Sequence, residues 1–303
     1  GVCLAAAIAL PILGEMFSVS IDTTMGLGQL HVVPAEGSDK WDTDYYTVNY
    51  KSKAESREAA NKVSKEIADE GIVLLKNEAN TLPLAKDSKI SPMGDGYRSP
   101  TYGGSGSGNV DTTKEYIYTP AKGLKKHFQV VSEIEAITLD ANKVVKIAEA
   151  EGTSTALAGS GMFQNDFSLV GVPTTEYEGV KAKINGTTGM IFITRGGGES
   201  NDIKRDGYTD GTPHALALSA NEKATIKYLK DNGATKVVAI IVSSNVMQLG
   251  ELDKGDYAAD AVLWVGGPGA AGFESMGDVL VGDKNPSGRT VDIYAKDLLK
   301  TPA

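Results

Sequence analysis

Cysteine is almost missing from this chain: Cys3 is the only one among 303 residues. No intrachain disulfide can form, and cysteine usage fixes no redox compartment. Histidine is nearly as scarce. His31, His127 and His214 are scattered, and with one cysteine they do not supply the ligand spacing of a zinc site. No metal and no cofactor is expected. None of the three histidines stands in a recognisable nucleophile context, and each reads as a surface or packing residue. Basic residues are in the minority, 30 against 39 acidic ones, for a formal net charge of -9. That balance repels a polyanion, whose binding depends on neutralising phosphates, so nucleic acid is not an expected partner. The one basic cluster, Lys122, Lys125, Lys126 and His127, reads as a solvated helix face.

A complete membrane-spanning run is also lacking. Residues 1–14 carry no charge, but Glu15 interrupts the apolar stretch before residues 16–21 continue it. A spanning helix needs about 20 apolar residues, and a signal peptide has a basic segment ahead of its apolar one. The segment fits either the tail of a truncated anchor or signal, which implies a membrane-anchored or secreted protein, or an apolar stretch packed on a cytoplasmic domain. Membrane contact is expected only through residues 1–19. Asn185-Gly186-Thr187 matches a glycosylation sequon, which matters only in a eukaryotic secretory protein.

What is present is an ordinary globular composition, 41% hydrophobic and 23% charged. Residues 1–45 read as the apolar N-terminal segment and an approach segment, and residues 46–303 as one domain. Ser52 and Glu55 have capping-box spacing, Ala59, Val63 and Ile67 make an apolar stripe, and Gly71 suits a helix stop. Strands are expected at Ile72–Leu75 and near Ile90, the second interrupted by Pro92, which lacks a backbone donor. Thr119-Pro120 starts a helix, and residues 133–150 read as helical.

After Gly189 the pattern is clearer. Met190–Thr194, Lys236–Ser243 and Ala261–Val265 are short apolar runs of the kind buried parallel strands require. A helix capped by Ser219 and Glu222 lies between the first two, and another follows at Gly272–Leu280. This alternation predicts an α/β fold, a three-layer sandwich whose mainly parallel, doubly wound sheet is flanked by helices. Ligands bind such sheets at the carboxyl ends of the strands, here the loops 94–108, 195–212, 244–250 and 266–272.

Three loops invite a chemical reading. Gly267-Pro268-Gly269-Ala270-Ala271-Gly272 fits the dinucleotide pattern, but it lies near the chain's end and Pro268 removes an amide that a pyrophosphate needs. Tight turning and close packing explain it instead. Residues 103–108, Gly-Gly-Ser-Gly-Ser-Gly, lack the Lys-Ser/Thr ending of a P-loop. Their backbone can approach a ligand while Ser105 and Ser107 donate to hydroxyls, or the loop is simply an exposed one. Residues 195–202, Arg-Gly-Gly-Gly-Glu-Ser-Asn-Asp, follow a buried strand directly. Three glycines let Glu199 swing toward a bound substrate, and an acid of raised pKa is what glycosidic cleavage needs. The alternative is an exposed acidic loop with an Arg195–Asp202 ion pair.

At these residues the chain resembles the C-terminal-type α/β sandwich domain of glycoside hydrolase family 3, the family of many β-glucosidases. The similarity is carried by Glu70–Asn77 with Leu82-Pro83-Leu84, by the loop 103–108, by residues 195–202, and by Val265–Gly269 with Gly282–Arg289. The resemblance implies hydrolysis of O-glycosidic bonds in a β-linked oligosaccharide or glycoside with retention. Glu199 would be the general acid/base, Ser107 and Ser105 would contact the sugar, and Asp202 would hydrogen-bond within the loop or at the site. Gln248 stands where an acidic residue is expected after Met247. Retaining hydrolysis needs a second carboxylate. The family places it on a (β/α)8 barrel, present in cis or trans, and some members carry the two domains in inverted order. The isolated chain is therefore expected to be inactive; the competing reading is a non-catalytic carbohydrate-binding or interaction domain of the same fold.

Overall fold

The computed structural model describes residues 35–40, 49–104, 108–148, 169–196 and 210–301, together with Pro11, Phe17 and Tyr208. Gly1–Lys51 and Ser52–Ala303 form two compact units. In the first, the described residues include one 3-10 turn, Ser38–Lys40. No described helix is long and apolar enough to cross a membrane.

In chain order the second unit contains α1 (Lys53–Gly71), β1 (Val73–Asn77), β2 (Lys89–Met93), α2 (Asp95–Arg98), α3 (Pro120–Lys125), β3 (Gln129–Val130), α4 (Ser132–Leu139), β4 (Val145–Ala148), β5 (Leu169–Gly171), β6 (Thr188–Thr194), α5 (Ala220–Asp231), β7 (Lys236–Val242), α6 (Gly250–Asp253), β8 (Ala261–Trp264) and α7 (Gly272–Val281). Six strands form one sheet in the order β1-β8-β7-β6-β2-β3, and β4 pairs with β5 separately. Only β1 runs antiparallel, against β8; the remaining pairs of the large sheet are parallel. The three apolar runs of the sequence, β6, β7 and β8, are adjacent as expected.

Side chains alternate between faces along a strand, and the core divides accordingly. Met190, Phe192, Val238, Ile240 and Val242 point to one face, packed with Leu124 of α3 and with Phe273 and Met276 of α7. Ile191, Ile193, Val237, Ala239 and Ile241 point to the other, packed with Ile134 of α4 and with Ile226 and Leu229 of α5. Both faces are apolar because both are covered, which is why these strands read as continuous apolar runs.

The three helix starts read from the sequence hold. Ser52 accepts from Glu55 N and caps α1, Thr119 caps α3 with Pro120 in its first turn, and Ser219 and Glu222 form a complete capping box on α5. Pro92 sits inside β2. Its carbonyl accepts from Thr138 Oγ1 at 2.9 Å, so the position that lacks N–H faces α4 rather than the β6 ladder. The opening and closing segments of the domain also meet, since Gly288 N donates to Ile72 O at 3.1 Å and Ser287 Oγ to Glu70 at 2.7 Å.

Two expectations fail and a third holds only in part. The helix expected over 133–150 ends at Leu139; Asp140 caps a 3-10 turn and β4 follows, as suits the β-branched Val144, Val145 and Ile147. On α1, Val63 and Ile67 are 53% and 66% exposed. The helix instead turns Ser64, Lys65, Ala68 and Asp69 toward α7, where Ser275 Oγ donates to Lys65 O and Ala68 lies against Gly272. Small residues allow this close approach, and charge pairs replace the apolar stripe.

The basic cluster is a solvated face only in part: Lys122, Lys125 and Lys126 are exposed, whereas His127 is buried. Lys125 pairs with Glu135, and Lys126 pairs with Glu274 and Asp278. His127 is 6% exposed, and its Nε2 donates to Asp278 at 2.7 Å. Lys65 pairs with the other Asp278 oxygen at 2.8 Å. His127, Asp278 and Asp283 bring ligand atoms within 4.8 Å of one another, but the lysines already on Asp278 oppose a cation there. Burial pushes the Asp278 carboxyl up, and hydrogen bonds from Lys65, Lys126 and His127 outweigh it, holding it at about 2. A pKa depressed on folding contributes stability that is full above the unfolded value, about 3.9, and lost as pH falls through the folded one. Asp278→Asn should lower the thermal midpoint by roughly 5 °C near neutrality, with the gap to wild type closing between pH 4 and pH 2; a gap independent of pH would contradict this.

Candidate functional site

The carboxyl ends of β2, β6, β7 and β8 lie along one edge of the sheet. The chain leaves β2 through Gly94, whose φ of +94° suits glycine; a Cβ there would stand 2.5 Å from Phe192 O. This close approach presses α2 onto β6 and sends the chain toward residues 99–108 beside the end of β6.

The loops that follow the four strands are tied to one another near their roots. Thr101 and Thr194 share a hydroxyl hydrogen bond at 2.9 Å, joining the stem of the glycine-serine loop to the stem of the glycine-glutamate loop. Asn245 after β7 donates to Gly196 O at 3.2 Å, and Gly269 N after β8 donates to Tyr102 O at 2.8 Å. A Cβ on Gly267 would stand 3.4 Å from Gly103 Cα. The dinucleotide-like glycines are therefore a packing seat for residues 102–103.

Beneath these stems lies a cavity of about 260 Å³, lined in part by Asp95, Arg98, Thr101, Thr194, Arg195 and Glu222. Asp95 and Arg98 pair at 2.5 Å. Burial raises the Asp95 pKa against the lowering effect of Arg98, and the Glu222 charge adds to the rise. Arg195 is 5% exposed and makes a bidentate pair with Glu222, both contacts at 2.7 Å. Its described partner is thus Glu222, which had shown itself in the sequence only as a helix cap; the Arg195–Asp202 pair that the sequence allowed lies outside the described residues. Nothing in the sequence singled out Asp95, Arg98, Thr101 or Thr194, whose shared environment comes from strand order alone. His214, 5% exposed, and Leu298 N both bond Gln248 Oε1, at 3.2 and 2.8 Å, so Gln248 holds the C-terminal segment in place.

Glu199, Asp202, Ser105 and Ser107 lie outside the described residues, as do His31 and Cys3. The structure describes the chain up to Gly104 and from Gly108, and up to Gly196, on either side of the serine segment and ahead of Glu199.

A mainly parallel sheet between helix layers, with the roots of its glycine-rich loops tied together at the carboxyl edge, defines an α/β sandwich. The description of the glycosyl hydrolase family 3 C-terminal domain fits residues 72–303, and the chain belongs to that family. It is 27% identical over 282 residues to β-glucosidase A of Butyrivibrio fibrisolvens, covering 88% of this chain and 33% of that protein. It is 27% identical over 283 residues to the periplasmic β-glucosidase of Salmonella typhimurium, covering 90% and 32%. Among solved structures, β-glucosidase 3B from Thermotoga neapolitana in complex with glycerol aligns with a TM-score of 0.59 and 27% identity, over 81% of this chain and 32% of that one. The chain spans between about a quarter and a third of the length of such relatives.

Proposed function

We propose that this chain supplies the acid/base half of a retaining β-glucosidase. In this reading Glu199 protonates the departing glycosidic oxygen and then activates water. Ser107 and Ser105 bond sugar hydroxyls, and Asp202 bonds within the Glu199 loop or at the site. The nucleophilic aspartate comes from a (β/α)8 barrel in cis or trans, and the substrate is a β-linked glucoside or oligosaccharide. The observation that carries the reading is the Thr101–Thr194 hydrogen bond, which roots the serine loop and the Glu199 loop side by side at the edge where α/β sheets take ligands.

The chemistry sets the geometry required. A retaining site holds its two carboxyl groups about 5–5.5 Å apart, one attacking the anomeric carbon while the other donates a proton. Glu199 on a glycine-rich stem is suited to crossing from this domain toward a carboxylate held elsewhere. Closure over it removes water and raises its pKa, which keeps it protonated for the first step. The test is the anomer released: the protein encoded by the full reading frame, given an aryl β-glucoside, should yield β-glucose first by proton NMR. Release of α-glucose, or no cleavage of any β-glycoside, would overturn the proposal.

A further inference from the structure

Arg195 opens the loop that carries Glu199, and its guanidinium is held on every side. Nε donates to Ala215 O at 2.5 Å, Nη1 to Thr194 O and Glu222 Oε1 at 2.7 Å each, and Nη2 to Ala217 O and Glu222 Oε2 at 2.7 Å each. These are all five donors the side chain possesses. Glu222 Oε2 also accepts from Ser219 N at 2.8 Å, completing the cap of α5. One ion pair thereby joins the end of β6, the segment 215–217 and the first turn of α5. Tyr208, beyond Glu199 in the chain, is buried with Leu169 and Ala215. Ala215 is the residue whose carbonyl Arg195 grips, so the chain is fixed to one segment on both sides of Glu199.

Stability alone is a weak reason for such a pair. Desolvating two charges costs about as much as their attraction returns, and well-packed apolar side chains often do as well. What a bidentate arginine supplies is a fixed direction in space. Glu199 stands four residues past Arg195, so the two Cα atoms lie within about 14 Å of each other whatever the loop's path. The heading of the chain as it leaves Arg195 decides where that reach is directed.

From this we infer that Arg195 and Glu222 form a positioning pair for the proton transfer, setting the origin and heading of the Glu199 loop without touching substrate. The inference rests on the reading of Glu199 given above. It also explains why the hydroxyl bond between Thr101 and Thr194 sits one residue before the pair: the serine loop is registered against the same anchor.

The experiment uses the full-length enzyme and four variants, Arg195→Lys, Arg195→Met, Glu222→Gln and Glu199→Gln, each assayed on methyl β-glucoside and on 2,4-dinitrophenyl β-glucoside. Lysine keeps the charge and loses the fork. Arg195→Lys and Glu222→Gln should lose on the order of a hundredfold in kcat/KM on the methyl glucoside, the cost of a small misplacement. On the dinitrophenyl glucoside, whose leaving group needs no proton, the loss should stay within about fivefold. Losses equal on both substrates and proportional to the folded fraction would make the pair merely structural and overturn the inference. Should Arg195→Met fail to fold, the other two still decide. If Glu199→Gln shows the leaving-group dependence and they do not, only the positioning pair falls. If Glu199→Gln does not show it, the Glu199 reading falls and takes the pair with it.

Discussion

Replacing Glu199 with glutamine in the full-length enzyme should slow cleavage of alkyl and oligosaccharide β-glucosides by about 10²–10⁴-fold, the usual contribution of general acid catalysis. Glutamine keeps the shape of the side chain and removes its proton. A departing alkoxide then leaves unprotonated, which is costly; a departing dinitrophenolate is stable without a proton. Activated aryl glucosides should therefore form the glycosyl-enzyme at near wild-type rates and stall at its hydrolysis, where the base is missing. Added azide needs no base to attack, so it should restore turnover and yield β-glucosyl azide. Wild-type rates on methyl β-glucoside would remove Glu199 from the mechanism.

The second large effect concerns what this domain does alone. Retaining hydrolysis needs a nucleophile and an acid/base across one glycosidic bond. The proposed reading finds the acid/base within residues 1–303 and places the nucleophile on a separate barrel. Residues 1–303 expressed by themselves should fold and yet release nitrophenol from aryl β-glucosides no faster than buffer. Turnover at a rate typical of enzymes, on the order of 1–10³ s⁻¹, would show that both carboxylates reside here.

Much of this architecture was legible because period and capping act locally. The apolar runs of β6, β7 and β8 and the capping residues Ser52, Thr119, Ser219 and Glu222 are each decided within a few residues of chain. The misread elements were decided at a distance. The face that α1 presents is set by α7 and the turn before it, where Ala68 lies against Gly272 and Ser64 against Gly269 while Val63 and Ile67 stay outside. Lys126, just past α3, is exposed as its neighbours suggest, but its partners Glu274 and Asp278 come from 148 and 152 residues away. The site divides in the same way. The glycine-rich loops announce themselves by composition, whereas Thr101–Thr194 and Arg195–Glu222 are partners across 93 and 27 residues that only the fold brings together.

The central claim is that the two catalytic carboxylates are divided, with the acid/base in this domain and the nucleophile beyond it. It is tested most directly by trapping the covalent intermediate. The full-length enzyme, inactivated with 2,4-dinitrophenyl 2-deoxy-2-fluoro-β-glucoside, should carry one fluoroglucosyl group, and peptide mapping by mass spectrometry should locate it on an aspartate outside residues 1–303. A label on any carboxylate within those residues would contradict the account.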